Sequence, residues 1–361
     1  MTQKKTIAVG LSGGIDSAVT AALLCREGHD VRAVTMQFWN GSVNLSPNRH
    51  SACFGPGETE DIETARIVAD FLGIPHSVIP LAEEYEKTVL NYYRSEYLSG
   101  RTPNPCVVCN SLIKFGALWG AIENVGIACE CLAMGHYARV EYDGEKNMFK
   151  LRQGTDASKD QSYFLHRLTQ RQLARIRLPL GAKFKKDVIA LAKEWKIPRV
   201  TERKESQDFL ESDDHACLFD KSSFTPGPIL DIGGRVIGEH RGLVYYTVGQ
   251  REGLGVSSGR RMYVKEIRAA DNAIVVGERD DILVRQTLIK NINWIPGYPP
   301  AKNFVCQVRL RYRHAGVRAK VELIDDKQAN VIFGEPQFAV TPGQAAVFYH
   351  GDEMLGGGWI S

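Results

Sequence analysis

The sequence predicts an α/β domain with a mainly parallel sheet, followed by two small β-rich domains, the last a β-barrel. Three observations carry that prediction. In the first half, β-rich apolar runs alternate with stretches of helical spacing. From about residue 224 the texture changes to short alternating runs broken by glycine and proline, as in "GPILDIGGRVIGEHRGLVYYTVGQREGLGV". A proline-rich stretch, "NWIPGYPPAKN" (293–303), then sets off a last group of strand-like runs. A chain of 361 residues exceeds the usual size of one hydrophobic core. The expected units are 1–207, 208–292 and 293–361.

In chain order, "KTIAVGL" (5–11) reads as a strand that ends in "SGGIDS", and "AVTAALLCREG" continues with helical spacing to a glycine stop. "DVRAVTMQFW" (30–39) is a second strand, "DIETARIVADFLGI" (61–74) an amphipathic helix and "HSVIPL" a third strand. A helix over about 83–98 leads to "TPNPCVVCN" (102–110), whose two prolines and asparagine predict a loop, and then to "SLIKFGALWGAIENVG". "CLAMGHYARVEY" (131–142) reads as a strand running into a turn, and "KKDVIALAKEWKI" (185–197) as the last helix of this domain. "FVCQVRLRYR", "GVRAKVELI", "QANVIFG" and "QAAVFYHGDEMLGGGWI" supply the strands of the barrel.

Composition excludes disorder: 43% of residues are hydrophobic and 24% charged. The net charge of +3 neither demands nor excludes a nucleic-acid partner, so clusters such as "LRYRH" (310–314), "HRLTQRQLARIRL" (166–178) and "GRR" (259–261) must carry that argument. The N-terminal apolar run is too short for a signal peptide, and no stretch approaches the roughly 18 apolar residues of a membrane span. A cytoplasmic protein with no membrane partner is expected. Its eight cysteines then sit in a reducing compartment, where paired cysteines point to a metal, a cluster or catalysis. Cys25 and Cys306 read as buried small hydrophobes, and Cys129 and Cys131 as the edge of a buried strand.

"SGGIDS" (12–17), after a strand and before a helix, is built for an anion. Gly13 and Gly14 permit positive φ and close backbone approach, Ser12 and Ser17 offer hydroxyls, and the helix start presents amides. The expected ligand is a pyrophosphate. Asp16 would repel phosphate directly, so its expected role is to organise the loop or to hold Mg²⁺. Neither the lysine of a GKS/T phosphate loop nor a GxGxxG fingerprint is present.

The run matches the SGGxDS signature of PP-loop enzymes, which cleave ATP between its α- and β-phosphates. "GLSGGIDS", "TPNPCVVCN" with "IKF", "MGHYARV", "KDQSYFL", "YTVGQREGLGV", "RYR" and "PGQAAVFY" follow in the order of the tRNA-specific 2-thiouridylase family, which the chain resembles throughout. The resemblance implies an adenine nucleotide alpha hydrolase-like fold. It also implies an ATP-dependent replacement of the C2 oxygen of the wobble uridine in tRNA anticodons by sulfur. By the same resemblance Gly10, Leu11, Ser12, Gly13, Gly14, Ile15, Asp16 and Ser17 cradle the phosphates of ATP, Met36 lies against the adenine and Gly135 contacts the nucleotide. Asn104, Pro105, Cys106, His136, Lys159, Asp160, Gln161, Arg311, Tyr312 and Gln344 fall on positions that touch the RNA. Lysine and arginine neutralise phosphate, and glutamine or tyrosine can bond or stack on a base splayed from the anticodon loop.

At the thiols the chain departs from the family pattern. That pattern reads NPDxxCN, with a second, persulfide-carrying cysteine far downstream. Here Cys109 stands on the loop cysteine and Cys106 replaces the aspartate. After "KESQ" the expected downstream thiol falls near Leu210, and Cys217 comes seven residues later. Three accounts follow. Cys106, Cys109 and Cys217 hold a [4Fe–4S] cluster with one open iron; or Cys109 with Cys106 or Cys217 runs a persulfide relay fed by a donor or relay protein; or the chain is an altered paralogue that binds tRNA or ATP without thiolation. Cys53, before the first long amphipathic helix, receives no role.

Overall fold

The computed structural model describes all residues except 1–3, 44, 46–51, 201–207, 213 and 257–258. The "KESQ" run therefore lies outside the described residues. The first domain contains β1 (Thr6–Gly10), β2 (Asp30–Gln37), β3 (Ala52–Phe54), β4 (His76–Pro80), β5 (Cys131–Ala133), β6 (Ala138–Asp143), β7 (Met148–Gln153), β8 (Ile176–Arg177) and β9 (Asp208–Leu210). Five of these form a parallel sheet in the order β4-β2-β1-β5-β8. Ile7, Ala8 and Val9 are all buried, as a central parallel strand covered on both faces requires. Helix α1 (Ile15–Arg26) buries Ala18, Val19, Ala21, Ala22 and Leu24 in the core it shares with α2 (Glu58–Leu72). Each fully buried Val or Leu of that core stabilises the fold by roughly 1.5–3 kcal/mol.

Three expectations are corrected here. The cysteine run is not a loop but the start of a helix, Pro105–Asn124. Asn104 caps it by accepting from the Val107 amide at 3.3 Å, and Pro105 sits in the first turn, where its fixed φ suits a helix start. This helix is also long and apolar enough to cross a membrane on length and composition alone, but its Val108, Ile113, Leu118 and Ile122 are packed in the protein core. "CLAMGHYARVEY" is two strands, not one. Only β5 joins the parallel sheet, while β6 and β7 form a hairpin that reaches the C-terminal barrel through Arg152 opposite Glu353.

The second domain is a four-stranded sheet of β10 (Gly227–Leu230), β11 (Val236–His240), β12 (Tyr263–Arg268) and β13 (Ala273–Gly277), ordered β11-β10-β13-β12 around Ile229, Val264, Ile274 and Val276. The last contains β14 (Leu283–Trp294), β15 (Asn303–Arg309), β16 (Val317–Asp325), β17 (Gln328–Phe338), β18 (Ala345–His350) and β19 (Glu353–Ile360), closed into a six-stranded antiparallel barrel by pairing of β14 with β19. The expected boundary at 293 cuts β14, so the barrel starts near residue 283. The boundary at 208 moves likewise, because β9 pairs in parallel with β3 of the first domain.

Polar contacts fix the barrel on the first domain. Arg309 pairs with the buried Asp160 at 2.6 Å, Tyr163 donates its hydroxyl to the Ala345 carbonyl at 2.9 Å, and Asp352 accepts from Arg139 and Arg152.

Candidate active site

The phosphate-type loop sits where β1 has β2 on one side and β5 on the other, the switch point at which open α/β sheets bind ligands. The Leu11 carbonyl accepts from Thr35 Oγ1 at 2.6 Å, and Ser17 Oγ donates to the Gly14 carbonyl at 2.9 Å while accepting from the Ser12 amide at 3.1 Å. The serines thus shape the loop itself. Gly13 has φ +71° and needs the freedom of glycine, whereas Gly14 has φ −88° and does not. No side chain among the described residues caps α1, which leaves its first amides for an anion. Gly135 lets the loop after β5 close on this turn, since a Cβ there would lie 2.9 Å from the Asp16 carbonyl carbon.

Asp16 is held on both oxygens. Lys185 Nζ stands 2.7 and 2.8 Å from them, and the Tyr137 hydroxyl donates to Oδ1 at 2.8 Å. Beside the loop opens a cavity of about 290 Å³, walled by Gly10–Ser17 and further by Met36, Phe38, Cys53, Glu58, Lys114 and His136. Glu58 accepts from the Phe38 and Trp39 amides at 2.8 Å each, and burial pushes its carboxyl up to about 7. His136 keeps Nδ1 enclosed without a hydrogen-bond partner. Burial, with the Lys114 charge, pulls its pKa down to about 3, so the ring is neutral at physiological pH.

None of the eight cysteines is joined in a disulfide. Cys109 is buried and its pKa is pushed up to about 12 by burial, against the pull of Lys114. Burial also opposes the Lys114 ammonium, but the charges of Cys109, Cys53 and Cys106 outweigh it and raise the lysine pKa. The helix carrying these residues loosens to wide π-type turns over Cys109–Ala117, and Gln172 satisfies the Ser111 and Phe115 carbonyls there at 2.9 Å each. Cys217 does not join this group. It is exposed, donates to the Asp214 carbonyl at 3.1 Å, and acts on Tyr93, which bonds His215. Leu210, where a downstream thiol was expected, pairs with Phe54 beside Cys53.

The residues expected to face RNA divide. Asp160 is buried and bonds Arg309, the Gly154 and Ser162 amides and the Ser162 hydroxyl, so its acceptors are used inside the protein. Gln344 donates to the Thr102 and Pro103 carbonyls at 3.1 and 2.9 Å and so pins the approach to the cysteine helix. Asn104 is the helix cap, and Pro105 is buried. Gln161 lines the cavity and accepts from the Tyr137 amide. Arg311 is exposed, Lys159 is half-buried, and Tyr312 lies against Phe164 at 4.6 Å. Lys114, Glu58, Tyr137 and Lys185 escaped the sequence reading. The "IKF" and "MGHYARV" runs contain Lys114 and Tyr137, but nothing local marked either as part of the site.

A parallel sheet with an uncapped helix start and a cavity at its switch point marks the class as an α/β nucleotide-binding protein carrying two appended β domains. Residues 5–210 match the tRNA methyl transferase HUP domain, 216–278 the tRNA methyl transferase PRC-barrel domain and 284–360 the aminomethyltransferase beta-barrel domain. Over 363 residues the chain is 40% identical to the tRNA-specific 2-thiouridylase MnmA of Endomicrobium trichonymphae, with both chains covered in full. It is 41% identical to the MnmA of Carboxydothermus hydrogenoformans, over 99% of this chain and 98% of that one. The chain belongs to the tRNA-specific 2-thiouridylase family.

Proposed function

We propose that the chain catalyses ATP-dependent 2-thiolation of the wobble uridine in tRNA anticodons. The observation that carries this reading is one cavity shared by the phosphate loop Gly10–Ser17, by Cys53 and by Lys114, which stands on the helix of Cys106 and Cys109. Family membership supports it, since relatives across the full chain are named 2-thiouridylases.

A uracil C2 carbonyl is a poor electrophile. Its oxygen attacks the α-phosphorus of ATP, pyrophosphate leaves, and AMP then stands on C2 as a leaving group for an incoming sulfur. In this chain the loop amides of α1 receive the phosphates, Met36 flanks the adenine and Lys114 offsets negative charge as it develops. Neutral His136 offers its open Nδ1 to the base. Arg311 and Lys159 face the RNA backbone, with Tyr312 beside them, and the anticodon arm of tRNA is the partner.

Mg²⁺ comes with the ATP phosphates in this reading, because Asp16 is already engaged by Lys185 and Tyr137. A [4Fe–4S] cluster on Cys106, Cys109 and Cys217 does not fit. Among the described residues no group of three Cys, His, Asp or Glu side chains is placed to hold a metal ion, and Cys217 stands by Tyr93 instead. Sulfur is therefore assigned to thiol chemistry, delivered by a persulfide donor or relay protein in the cytoplasm.

The test supplies ATP, Mg²⁺, a persulfide and an anticodon stem-loop with a wobble uridine. Equal amounts of AMP, pyrophosphate and 2-thiouridine are expected. RNA binding without RNA-dependent AMP would reject the enzyme and favour the altered paralogue.

A further inference from the structure

Strand β2 outruns its neighbour β1 at the cavity. Successive residues of a strand turn their amide and carbonyl to opposite edges. The Val34 carbonyl accepts from the Leu11 amide on the β1 side at 2.8 Å, and the Gln37 carbonyl accepts from the Leu81 amide on the β4 side at 2.8 Å. Met36 shares the parity of Val34, so its amide and carbonyl point to the β1 side. There β1 has already ended, at Gly10 opposite Val34, and Met36 lines the cavity beside the phosphate loop. One main-chain donor and one acceptor thus face the cavity with no strand beside them. The Watson–Crick edge of adenine carries a ring acceptor and an amino donor and fits that pair. Guanine carries a ring donor and a carbonyl acceptor there, the reverse order.

What fixes this edge comes from another element. Beyond Gln37 the chain leaves the sheet, and one side chain takes the amides of the next two residues: Glu58 accepts from Phe38 and from Trp39 at 2.8 Å each, one on each carboxylate oxygen. Glu58 is buried, opens α2 and lines the same cavity as Met36. The rings follow that anchoring. Phe38 stacks on Tyr85 with centroids 4.4 Å apart, and Trp39 packs edge-on against Phe54 at 5.1 Å. The start of α2 is itself held from 154 residues away, where Glu211 accepts from the Gly57 amide at 2.7 Å. A Cβ on Gly55 or Gly57 would lie 2.4 or 2.9 Å from side-chain atoms of Glu211, so glycine at both positions lets this buried side chain pack against the turn that delivers Glu58.

We infer that Glu58 is a positioning residue that holds the end of β2 in the conformation that reads adenine, and so sets the preference for ATP over GTP; the inference rests on the ATP site proposed above. A carboxylate suits this task because it offers an acceptor to each amide. Glutamine of the same length offers one acceptor and an NH₂ group that opposes the second amide, so Glu58→Gln releases Phe38 or Trp39 and loosens the strand end that carries Met36. The phosphate loop keeps its own bonds, from Thr35 to the Leu11 carbonyl and from Ser17 to the Gly14 carbonyl. Loss of Glu58 therefore falls on recognition of the base and spares that of the triphosphate.

The experiment is calorimetric titration of the full chain with the imido analogues of ATP and GTP, at about pH 8, above the Glu58 value of about 7. The unaltered protein is compared with Glu58→Gln and with Glu60→Gln, an exposed carboxylate in the same helical turn. The unaltered protein should prefer the ATP analogue. Glu58→Gln should weaken that analogue about tenfold, as expected for one lost bond to a charged group, and the GTP analogue by less than about twofold, while Glu60→Gln changes neither. In RNA-dependent AMP formation the KM for ATP should rise by a similar factor with kcat within about twofold. Equal losses for both analogues, no loss, or a fall in kcat at saturating ATP would overturn the assignment. Should Glu58→Gln fail to fold, amide hydrogen exchange of the unaltered protein decides: the ATP analogue should slow exchange across residues 36–39 more than the GTP analogue does, and equal or absent slowing would overturn it. Analogue binding without AMP formation by the unaltered protein would overturn the thiolation reading and leave the titration to decide on Glu58.

Discussion

The ammonium of Lys185 grips both carboxylate oxygens of Asp16, at 2.7 and 2.8 Å, across 169 residues of chain. Lys185 opens the helix Lys185–Glu194, and Asp16 lies in the first turn of α1. The pair therefore ties the start of the anion-binding helix to a distant part of the domain. Lys185→Met should weaken ATP binding by about tenfold or more, and a double-mutant cycle with Asp16→Asn should return a coupling of about 1–3 kcal/mol. Calorimetric titration with a non-hydrolysable ATP analogue measures both. Additive effects would mean that the pair does not act as a unit.

Arg309 on the barrel meets the buried carboxylate of Asp160 in the first domain. Removing the arginine leaves a charge without its partner in a place water reaches poorly. Arg309→Leu is expected to destabilise the docked barrel by about 3–5 kcal/mol, read as a lower thermal midpoint, whereas exposed Arg311→Leu should leave the midpoint nearly unchanged and weaken RNA binding instead.

Gln344 bonds the two carbonyls that precede the cysteine helix. Gln344→Ala removes both bonds, a loss of about 1–2 kcal/mol locally, and should let the helix start fray. Cys109, buried in the parent, should then react faster with a thiol reagent, while Cys306 in the barrel wall keeps its rate. Unchanged Cys109 kinetics would show that the barrel does not control access to it.

Glu58 gives a pH signature. Its carboxyl rises from the usual 4.5 to about 7, chiefly through burial, so the folded state binds the proton more tightly than the unfolded one. The stability this contributes is full below about 4.5 and is lost as pH rises through about 7, on the order of 3 kcal/mol in all. Thermal midpoints between these pH values should fall more steeply in the parent than in Glu58→Gln. Parallel curves would show that Glu58 titrates normally.

The anion loop was legible because it is contiguous: strand, glycine turn and helix start lie within "KTIAVGLSGGIDS", and short-range sterics dictate their geometry. Periodicity likewise made the α/β to β transition visible. The cysteine run misled, since its prolines read as loop signals although Pro105 in a first turn begins a helix as readily as it ends one. Asp160 misled for another reason. The resemblance placed it at the RNA, whereas Arg309, 149 residues later, and the nearby Gly154 and Ser162 take up its carboxylate inside the protein.

What the sequence determined by itself is therefore the set of local conformations and chemical types: a phosphate-ready turn, helices and strands in order, and a chain with thiols to spare. Which thiols and charges meet was decided by tertiary structure. Cys53 is 61 positions before Lys114 in the chain, yet β3 pairing with β9 and Phe54 stacking on Tyr85 turn it toward the same cavity as Lys114. Cys217, the nearer match by eye, is carried off beside Tyr93. The physical reason is range: backbone sterics act over a few residues, while proximity between distant side chains arises only when buried apolar surfaces have fixed how the elements pack.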